Sequence, residues 1–366
     1  MEGETKNFFK ACIAILTSLC YSYFLASKIP KGMLRFISLL PIFSLLTLLP
    51  LSLSRPIPNI LLGSFITWLT NFKLLLYSFN LGPLSTNNNN NNHPQKSLLR
   101  FLFLASFPIK IKEKKQVKTS KDQNLHNNNQ KGSFVNSHKK VLPLNFWSKC
   151  VLFVIMDVTY RNTKNMMVLC CLMYLFNDIA FGVCDRLVGA TLGLELESPS
   201  DEPYLSSSLQ NFWGNRWNRM ISDILRHTVY KPVKSMVVYF VGHTWAPMPG
   251  VLAAFVVSGL MHELVYYYVT RVSPTWEVTL FFVLHGVCVI LEMVVKKGLG
   301  QKWRLHWAIS GPLTIGFVMV TSHWLFFPQL LRNQVDVRAA EDIMGVAKYL
   351  KEVLMKVNII RVIMNY

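Results

Sequence analysis

Long apolar stretches separated by short polar segments are the feature of this sequence that most constrains its fold. A helix needs about 20 mainly apolar residues to cross the hydrocarbon core of a bilayer. Eight stretches have the required length and character: 8–27, 33–53, 59–81, 142–160, 166–187, 249–270, 276–295 and 307–331. The shorter stretches 98–109 and 233–247 suit re-entrant or interfacial segments. The sequence therefore predicts an all-α, polytopic transmembrane helical protein with about eight spans.

The composition agrees with this fold class. Of the 366 residues, 51% are hydrophobic and only 16% are charged, whereas soluble domains carry about 25% charged residues. The formal net charge of +19 is compatible with a nucleic-acid partner. However, the Lys and Arg residues are concentrated between the apolar stretches, as in the cytosolic loops of membrane proteins. We therefore expect the lipid bilayer as a partner and no nucleic acid.

The basic residues also predict an orientation. Each odd-numbered span ends on a basic loop, and the alternate loops are poorer in charge, so the positive-inside rule places both termini in the lumen and residues 188–248 in the cytosol. The first apolar stretch lacks a basic n-region and a small-residue cleavage site, and we interpret it as a retained span. The seven cysteines lie in or beside apolar stretches and indicate no disulfide framework.

Four regions follow from this layout. Residues 1–84 hold the N-terminal transmembrane helices. Residues 85–140 form an Asn- and Lys-rich cytosolic loop that we expect to be disordered, because such a composition cannot bury a core. Residues 141–335 form the transmembrane core, and residues 336–366 form a C-terminal tail. Within the tail, 343–356 suits either an amphipathic helix at the membrane surface or a packed terminal helix.

Ionisable side chains inside spans are costly, so each is a candidate for function. Three places qualify: Lys73, the pair His262 and Glu263, and the pair His285 and Glu292. No metal site is predicted at the pair His262 and Glu263. Its His-Glu begins the zinc-protease pattern HExxH, but the position four residues after the histidine is Tyr266.

His262 is the most informative of these residues. Desolvation disfavours the charged form of an imidazole, and a neutral imidazole can accept a proton from a hydroxyl group as a general base. Ser258 lies one helical turn earlier and is placed to hydrogen-bond it, whereas Glu263 points elsewhere. A structural histidine bonded to a neighbouring helix explains the same segment equally well.

The segment 203–232, PYLSSSLQNFWGNRWNRMISDILRHTVYKP, interleaves aromatic residues with arginines and asparagines. Aromatic rings beside basic groups suit the headgroup region of a membrane. The same residues also suit the phosphates and adenine of a ligand such as coenzyme A, because Arg binds phosphate well. Composition alone leaves both interpretations open.

These segments carry a family resemblance. SLQNFWGNRWN, followed by an apolar span with SGLMHEL, resembles the paired signature of membrane-bound O-acyltransferases, and is most similar to the plant wax ester synthase branch. Further stretches agree in order and spacing, including NFKLLLYSFNLGPLS, PTWEVTLFFVLHGVCVILEMVVKK and FVMVTSHWLFFPQL. The resemblance covers nearly the whole chain except the Asn- and Lys-rich loop and the C-terminal tail.

The resemblance implies acyl transfer from fatty acyl-CoA to a hydroxyl acceptor, with 141–335 as the catalytic core and the endoplasmic reticulum as location. It implies a long-chain alcohol as acceptor, with a sterol as the nearest alternative; acyl-CoA is the substrate, and no cofactor or metal is expected. A non-catalytic membrane lipid transporter is the alternative from another class. The implied catalytic residues are His262 and Asn218. The implied substrate-binding residues are Asn211, Phe212, Trp213, Arg216, Trp217, Ser258 and His285.

The first motif departs from the family pattern at two positions. Relatives typically read DFWGRRWN, so Asn211 stands for an Asp and Asn215 for an Arg. Loss of the Arg at position 215 removes a cation that would help to hold phosphate or the fold of the motif. His262 and Asn218 are unchanged.

Overall fold

The computed structural model of the protein describes residues 2–85, 97–112, 145–299 and 305–364. Within these ranges the chain is helical or irregular, apart from an isolated antiparallel β-bridge between Ile111 and Leu196. Seven of the described helical stretches are long and apolar enough to cross a membrane: Gly3–Lys28, Met33–Ser52, Pro56–Ser78, Met166–Leu192, Pro247–Thr270, Glu277–Gly298 and Trp307–Phe326. The predicted all-α, multi-pass membrane fold is confirmed.

The helices are numbered in chain order. The α-helices are α1 (Glu2–Phe24), α2 (Met33–Leu48), α3 (Pro56–Leu61), α4 (Asn71–Ser78), α5 (Leu98–Ser106), α6 (Phe146–Thr163), α7 (Met166–Leu192), α8 (Leu209–Asn211), α9 (Arg219–Leu225), α10 (Lys231–Trp245), α11 (Pro247–Thr270), α12 (Glu277–Leu299), α13 (Trp307–Thr321), α14 (Pro328–Arg332) and α15 (Val335–Met364). Wider π-helical segments continue some of them: π1 (Leu62–Thr70), π2 (Phe212–Arg216), π3 (Arg226–Tyr230) and π4 (Ser322–Phe326).

The expected count of eight spans differs from the seven stretches found, and the difference lies at α6. This helix corresponds to the predicted span 142–160, but it carries three charged residues, Lys149, Asp157 and Arg161. Its charges are paired inside the α6–α7 hairpin: Lys149 contacts Asp178 of α7 at 2.5 Å, and Arg161 contacts Asp157 at 2.7 Å. Hydropathy alone therefore does not qualify α6 as a span.

The chain divides into two compact units. One combines Met1–Pro108 with Pro199–Tyr366, and the other, Ile109–Ser198, is built on the hairpin of α6 and α7. Most of the predicted disordered loop 85–140 lies outside the described residues. Its described part, 97–112, contains α5, where the sequence has the shorter apolar stretch 98–109. The four predicted regions and their boundaries stay predictions.

Lys73, one of the three intramembrane candidates, has a structural role. Its side chain on α4 is 1% exposed, and Nζ donates hydrogen bonds to the carbonyl oxygens of Leu104 and Phe107, both at 2.7 Å. The last carbonyls of a helix lack partners within the helix and favour a cation. Lys73 therefore caps the C-terminal end of α5 and holds it against α4.

The beginning of the C-terminal tail is packed on the transmembrane helices. Asp342 of α15 is buried, accepts a hydrogen bond from the backbone N of Ile57 at 3.1 Å, and pairs with Arg55 at 3.0 Å. It thereby caps the N-terminal end of α3. Arg338 donates to the carbonyl of Val269 at the end of α11 at 3.3 Å. The first turns of α15 thus behave as a packed terminal helix.

Candidate active site

Three π-helical segments bring aromatic side chains to the surroundings of His262. Trp68 comes from π1, Trp213 from π2 and Phe326 from π4. A π-helical turn has an extra residue, changes the direction in which its side chains point, and occurs often at functional sites. The three segments are far apart in sequence, so only the folded chain brings them together.

His262 lies in the middle of α11. Its Nδ1 is 2.7 Å from the carbonyl oxygen of Ser258. Because a carbonyl only accepts hydrogen bonds, Nδ1 carries the proton in the neutral ring, and Nε2 presents a lone pair. No residue in the described ranges hydrogen-bonds Nε2. Ser258 is thus a partner of His262, as expected from its position one turn earlier, but through its backbone carbonyl and not its hydroxyl group.

Aromatic rings enclose the imidazole of His262. The ring of Phe282 on α12 lies 4.3 Å away, centroid to centroid, with a tilt of 33°. Trp68 approaches at 5.4 Å and Phe326 at 5.9 Å, both in edge-on arrangements. All three of these residues are buried, with 4 to 7% of their surface exposed. The histidine itself keeps intermediate exposure, which leaves room for a reacting group beside it.

Glu263 points away from this enclosure and joins α11 to α12. Its side chain is buried, and Oε1 accepts a hydrogen bond from the backbone N of Thr279 at 3.3 Å, in the first turn of α12. A carboxylate in this place satisfies an N–H group that has no partner within its helix. Gly259 lies at the same crossing, where an added Cβ would come within 3.0 Å of Thr279 Cα. The two helices are therefore in close contact just beside His262.

The first motif is held by the same helix α12. The backbone N of Gln210 donates to Oε2 of Glu292 at 3.0 Å, and Lys296 pairs with Glu292 and also reaches Gln210 Oε1 at 3.3 Å. Ser208 caps α8 by accepting from the backbone N of Asn211. Glu292, the second carboxylate inside an apolar stretch, thus positions the motif.

Trp213 brings the two motifs into contact. Its ring packs edge-on or tilted against four rings of α11 and α12: Phe255 at 5.8 Å, Phe281 at 6.2 Å, Phe282 at 5.7 Å and His285 at 5.5 Å. Phe282 therefore touches both Trp213 and His262. The pairing of the two segments that the sequence resemblance indicated is present as a shared aromatic cluster.

The other residues of the first motif mainly bind one another. Phe212 and Trp217 stack at 5.5 Å with an angle of 15°. Arg216 donates from Nε to Asn211 Oδ1 at 3.1 Å and from Nη1 to the Asp201 carbonyl at 2.9 Å. Asn211 and Arg216 therefore fix the loop before α8, and Asn215 is exposed beside them.

Asn218 has the left-handed backbone conformation, with φ of 39°. Asn tolerates this region better than most residues. Its Oδ1 accepts from the backbone N of Ile221 at 3.3 Å and caps α9. The amide Nδ2 hydrogen-bonds no residue within the described part of the chain. The side chain of Asn218 is therefore fixed through Oδ1, and its Nδ2 group remains available as a donor. Among the described residues, no direct hydrogen bond joins Asn218 to His262.

His285 is fully buried, and both ring nitrogens have partners. Nδ1 lies 2.8 Å from the Phe281 carbonyl and Nε2 lies 3.4 Å from the hydroxyl of Thr321. Its ring packs edge-on against the ring of Trp213. His285 thus lies at the site, but its contacts are those of a supporting residue.

Sequence reasoning missed Trp68, Phe282 and Phe326. They are apolar aromatic residues in apolar stretches, so neither composition nor spacing distinguishes them from other core residues. The π-helical segments were also not predicted from the sequence, because they depend on packing between helices. Across the described ranges, no group of three or more His, Cys, Asp or Glu side chains is arranged to hold a metal ion.

Fold and site together define a polytopic helical membrane protein with a histidine enclosed by aromatic residues. Residues 197–284, which include both motifs, match the membrane bound O-acyl transferase family. The chain is 40% identical to a long-chain-alcohol O-fatty-acyltransferase of Simmondsia chinensis, with 97% of this chain and 98% of that protein covered. The protein therefore belongs to the membrane-bound O-acyltransferase family and is an acyltransferase, which disfavours the non-catalytic alternative.

Two further relatives bear on the acceptor. A probable long-chain-alcohol O-fatty-acyltransferase 2 of Arabidopsis thaliana is 38% identical, with 96% of this chain and 98% of that protein covered. An acyl-CoA–sterol O-acyltransferase 1 of the same plant is 35% identical, with equal coverage. The identity to the sterol enzyme is thus lower than the identity to either of the two long-chain-alcohol enzymes described above.

Proposed function

We propose that the protein transfers a fatty acyl group from acyl-CoA to a long-chain alcohol, forming a wax ester, with His262 as the general base. The observation that carries this proposal is the tautomer of His262 that its hydrogen bond favours. Its Nδ1 is fixed by the Ser258 carbonyl at 2.7 Å, and its Nε2 is left as an acceptor inside an aromatic enclosure. The relatives named for long-chain alcohols support the acceptor.

The reaction needs one proton acceptor and one site for developing negative charge. Nε2 of His262 takes the hydroxyl proton as the alcohol oxygen attacks the thioester carbonyl carbon. A C–O bond forms, the C–S bond breaks, and the proton passes from Nε2 to the departing thiolate. The products are the ester and the free thiol of coenzyme A. The proton lost by the alcohol ends on this thiol, so no other reactant is needed.

Asn218 is the proposed donor to the thioester carbonyl oxygen. Its Oδ1 already caps α9, so the Nδ2 group is the part of the side chain that can meet substrate. A fixed donor lowers the barrier when it meets an oxygen that gains charge in the transition state.

The first motif is the proposed acyl-CoA side of the site. Phe212, Trp213 and Trp217 offer an aromatic surface. Arg216 contributes mainly by fixing the loop, because Nε and Nη1 are bonded within it. The orientation predicted from the basic loops, with 188–248 in the cytosol where acyl-CoA is made available, supports this assignment. The endoplasmic reticulum is the proposed location on the basis of the family resemblance.

A sterol is the second candidate acceptor, favoured by the relative that is 35% identical and named for sterols. A hydroxyl group on a rigid ring system requires a broader cavity beside His262 than a linear alcohol does. Competition between the two acceptors at equal concentration would decide between them.

The test uses a host without its own neutral-lipid acyltransferases. The full-length protein is expressed, labelled acyl-CoA is supplied to the membranes with a fatty alcohol or a sterol, and the esters are identified by mass spectrometry. Wax ester should form with the wild type and be lost with His262→Ala. His323→Ala is the matched control, because that histidine is exposed. Ester formation by His262→Ala at the wild-type rate would contradict the proposal.

A further inference from the structure

Trp68 is a residue of the site that the sequence motifs do not mark. It lies on π1, in the third apolar stretch, and only 6% of its surface is exposed. Its indole ring lies 5.4 Å from the imidazole of His262, with an angle of 73° between the rings. The N-terminal part of the chain thus contributes directly to the surroundings of the proposed base.

The segment that carries Trp68 is fixed on both sides. The Thr67 hydroxyl donates to the Leu46 carbonyl at 2.8 Å, and the Thr70 hydroxyl donates to the Ala105 carbonyl at 3.0 Å. At Gly63, an added Cβ would lie 3.1 Å from the ring of Tyr268 on α11. The two hydroxyl groups hold π1 against α2 and α5, and Gly63 allows it to lie close to α11, so the indole has a defined position next to His262.

The residue after Trp68 packs on the helix that Asn218 caps. Leu69 forms a buried cluster with Met220 and Ile224 of α9. Trp68 therefore lies on the element that connects the His262 helix to the Asn218 helix. A group bound between these two residues would also approach the indole.

The Nε1 of Trp68 is buried, and no acceptor for its hydrogen occurs within the described residues. An indole nitrogen can only donate. Buried donors are nearly always paired, and each exception calls for an explanation, because leaving one unpaired is costly. The hydroxyl groups nearest in sequence, Thr67 and Thr70, donate to backbone carbonyls of other helices. An oxygen atom of a substrate bound at His262 is a suitable acceptor.

We propose that Trp68 is a further catalytic residue, whose Nε1–H donates a hydrogen bond to the thioester carbonyl oxygen of the acyl donor. This inference rests on the acyl transfer proposed above. That oxygen gains negative charge as the alcohol oxygen bonds to the carbonyl carbon, and a group that only donates is complementary to it. Trp68 neither gains nor loses a proton, and it acts together with the amide of Asn218 on the same oxygen.

The direct test is Trp68→Phe, which keeps an aromatic ring and removes the donor. Acyl transfer is measured with the full-length protein in membranes. We expect kcat to fall about 100-fold while KM for acyl-CoA stays within about threefold of the wild-type value, since the bond strengthens only in the transition state. The control is Trp324→Phe on π4, whose exposed ring has no such role. Wild-type kcat in Trp68→Phe would overturn the proposal.

A second measurement covers the case in which Trp68→Phe lowers the amount of folded protein. The ordinary acyl-CoA is compared with its dithioester analogue, in which sulfur replaces the carbonyl oxygen and accepts hydrogen bonds weakly. The ratio of the two rates within one preparation does not depend on the folded fraction. We expect this ratio to fall in Trp68→Phe, and an unchanged ratio would overturn the proposal. Absence of ester formation by the wild type would instead refute the proposed function.

Discussion

Glu263 accepts a hydrogen bond from the backbone N of Thr279, 3.3 Å away, and so joins α11 to the beginning of α12. The neighbouring residue in the chain is His262, and Phe282 follows Thr279 by less than one turn. The hydrogen bond between Glu263 and Thr279 therefore helps to fix the 4.3 Å contact between the His262 and Phe282 rings. Within the His-Glu pair, His262 lies in the aromatic enclosure and Glu263 joins the two helices beside it.

Glu263→Ala should lower both stability and activity. It removes the cap of α12 and leaves the N–H of Thr279 without its acceptor, at a cost of about 1–2 kcal/mol. Glu263→Gln keeps a carbonyl oxygen in the same place and should retain most of both properties. Thermal unfolding of the purified protein in detergent and the rate of ester formation are the measurements. Equal losses in the two variants would show that the acid group itself is needed, and not the acceptor oxygen.

Gly259→Ala tests how closely α11 and α12 must approach. The added Cβ would meet Thr279 Cα at 3.0 Å and the Thr279 carbonyl oxygen at 3.3 Å, so the helices must separate. We expect a loss of about 1–3 kcal/mol of stability and a strong fall in activity, because the Phe282 ring shifts from His262. Gly316→Ala on α13 is the control, since its Cβ meets nothing within 4 Å. Similar unfolding temperatures for the two variants would contradict this explanation.

The sequence predicts the membrane fold, and it singles out His262 and the first motif, because each leaves a local signal. Spans follow from apolar length, and His262 stands out as a polar residue among apolar ones. The roles of Lys73, Glu263 and Glu292 were not predictable, since each side chain bonds the backbone near the end of another helix. Trp68 and Phe326 reach the site through π-helical turns, which depend on tertiary packing.

The pairing of charges in α6 predicts that this helix crosses the membrane in spite of its composition. Lys149 is paired with Asp178, and Asp157 with Arg161, so the charges compensate one another within the α6–α7 hairpin. A crossing α6 places the turn at Lys164 and Asn165 in the lumen. A glycosylation acceptor loop inserted in this turn should therefore be modified, and one inserted near residue 200 should not. The reverse pattern would show that α6 stays on the cytosolic side.

Asn211→Asp should strengthen the first motif. Arg216 now donates from Nε to the neutral Oδ1 of Asn211 at 3.1 Å, and its other bonded nitrogen meets a backbone carbonyl. A carboxylate in the same position makes a charge-assisted bond of about twice the strength. We expect a higher unfolding temperature, a gain of up to about 1 kcal/mol, and a higher rate of ester formation. Asn215→Asp is the control, because Asn215 is exposed and forms no part of this contact. If both variants behave alike, a general effect of added negative charge explains the result, and the Asn211–Arg216 contact does not limit the enzyme.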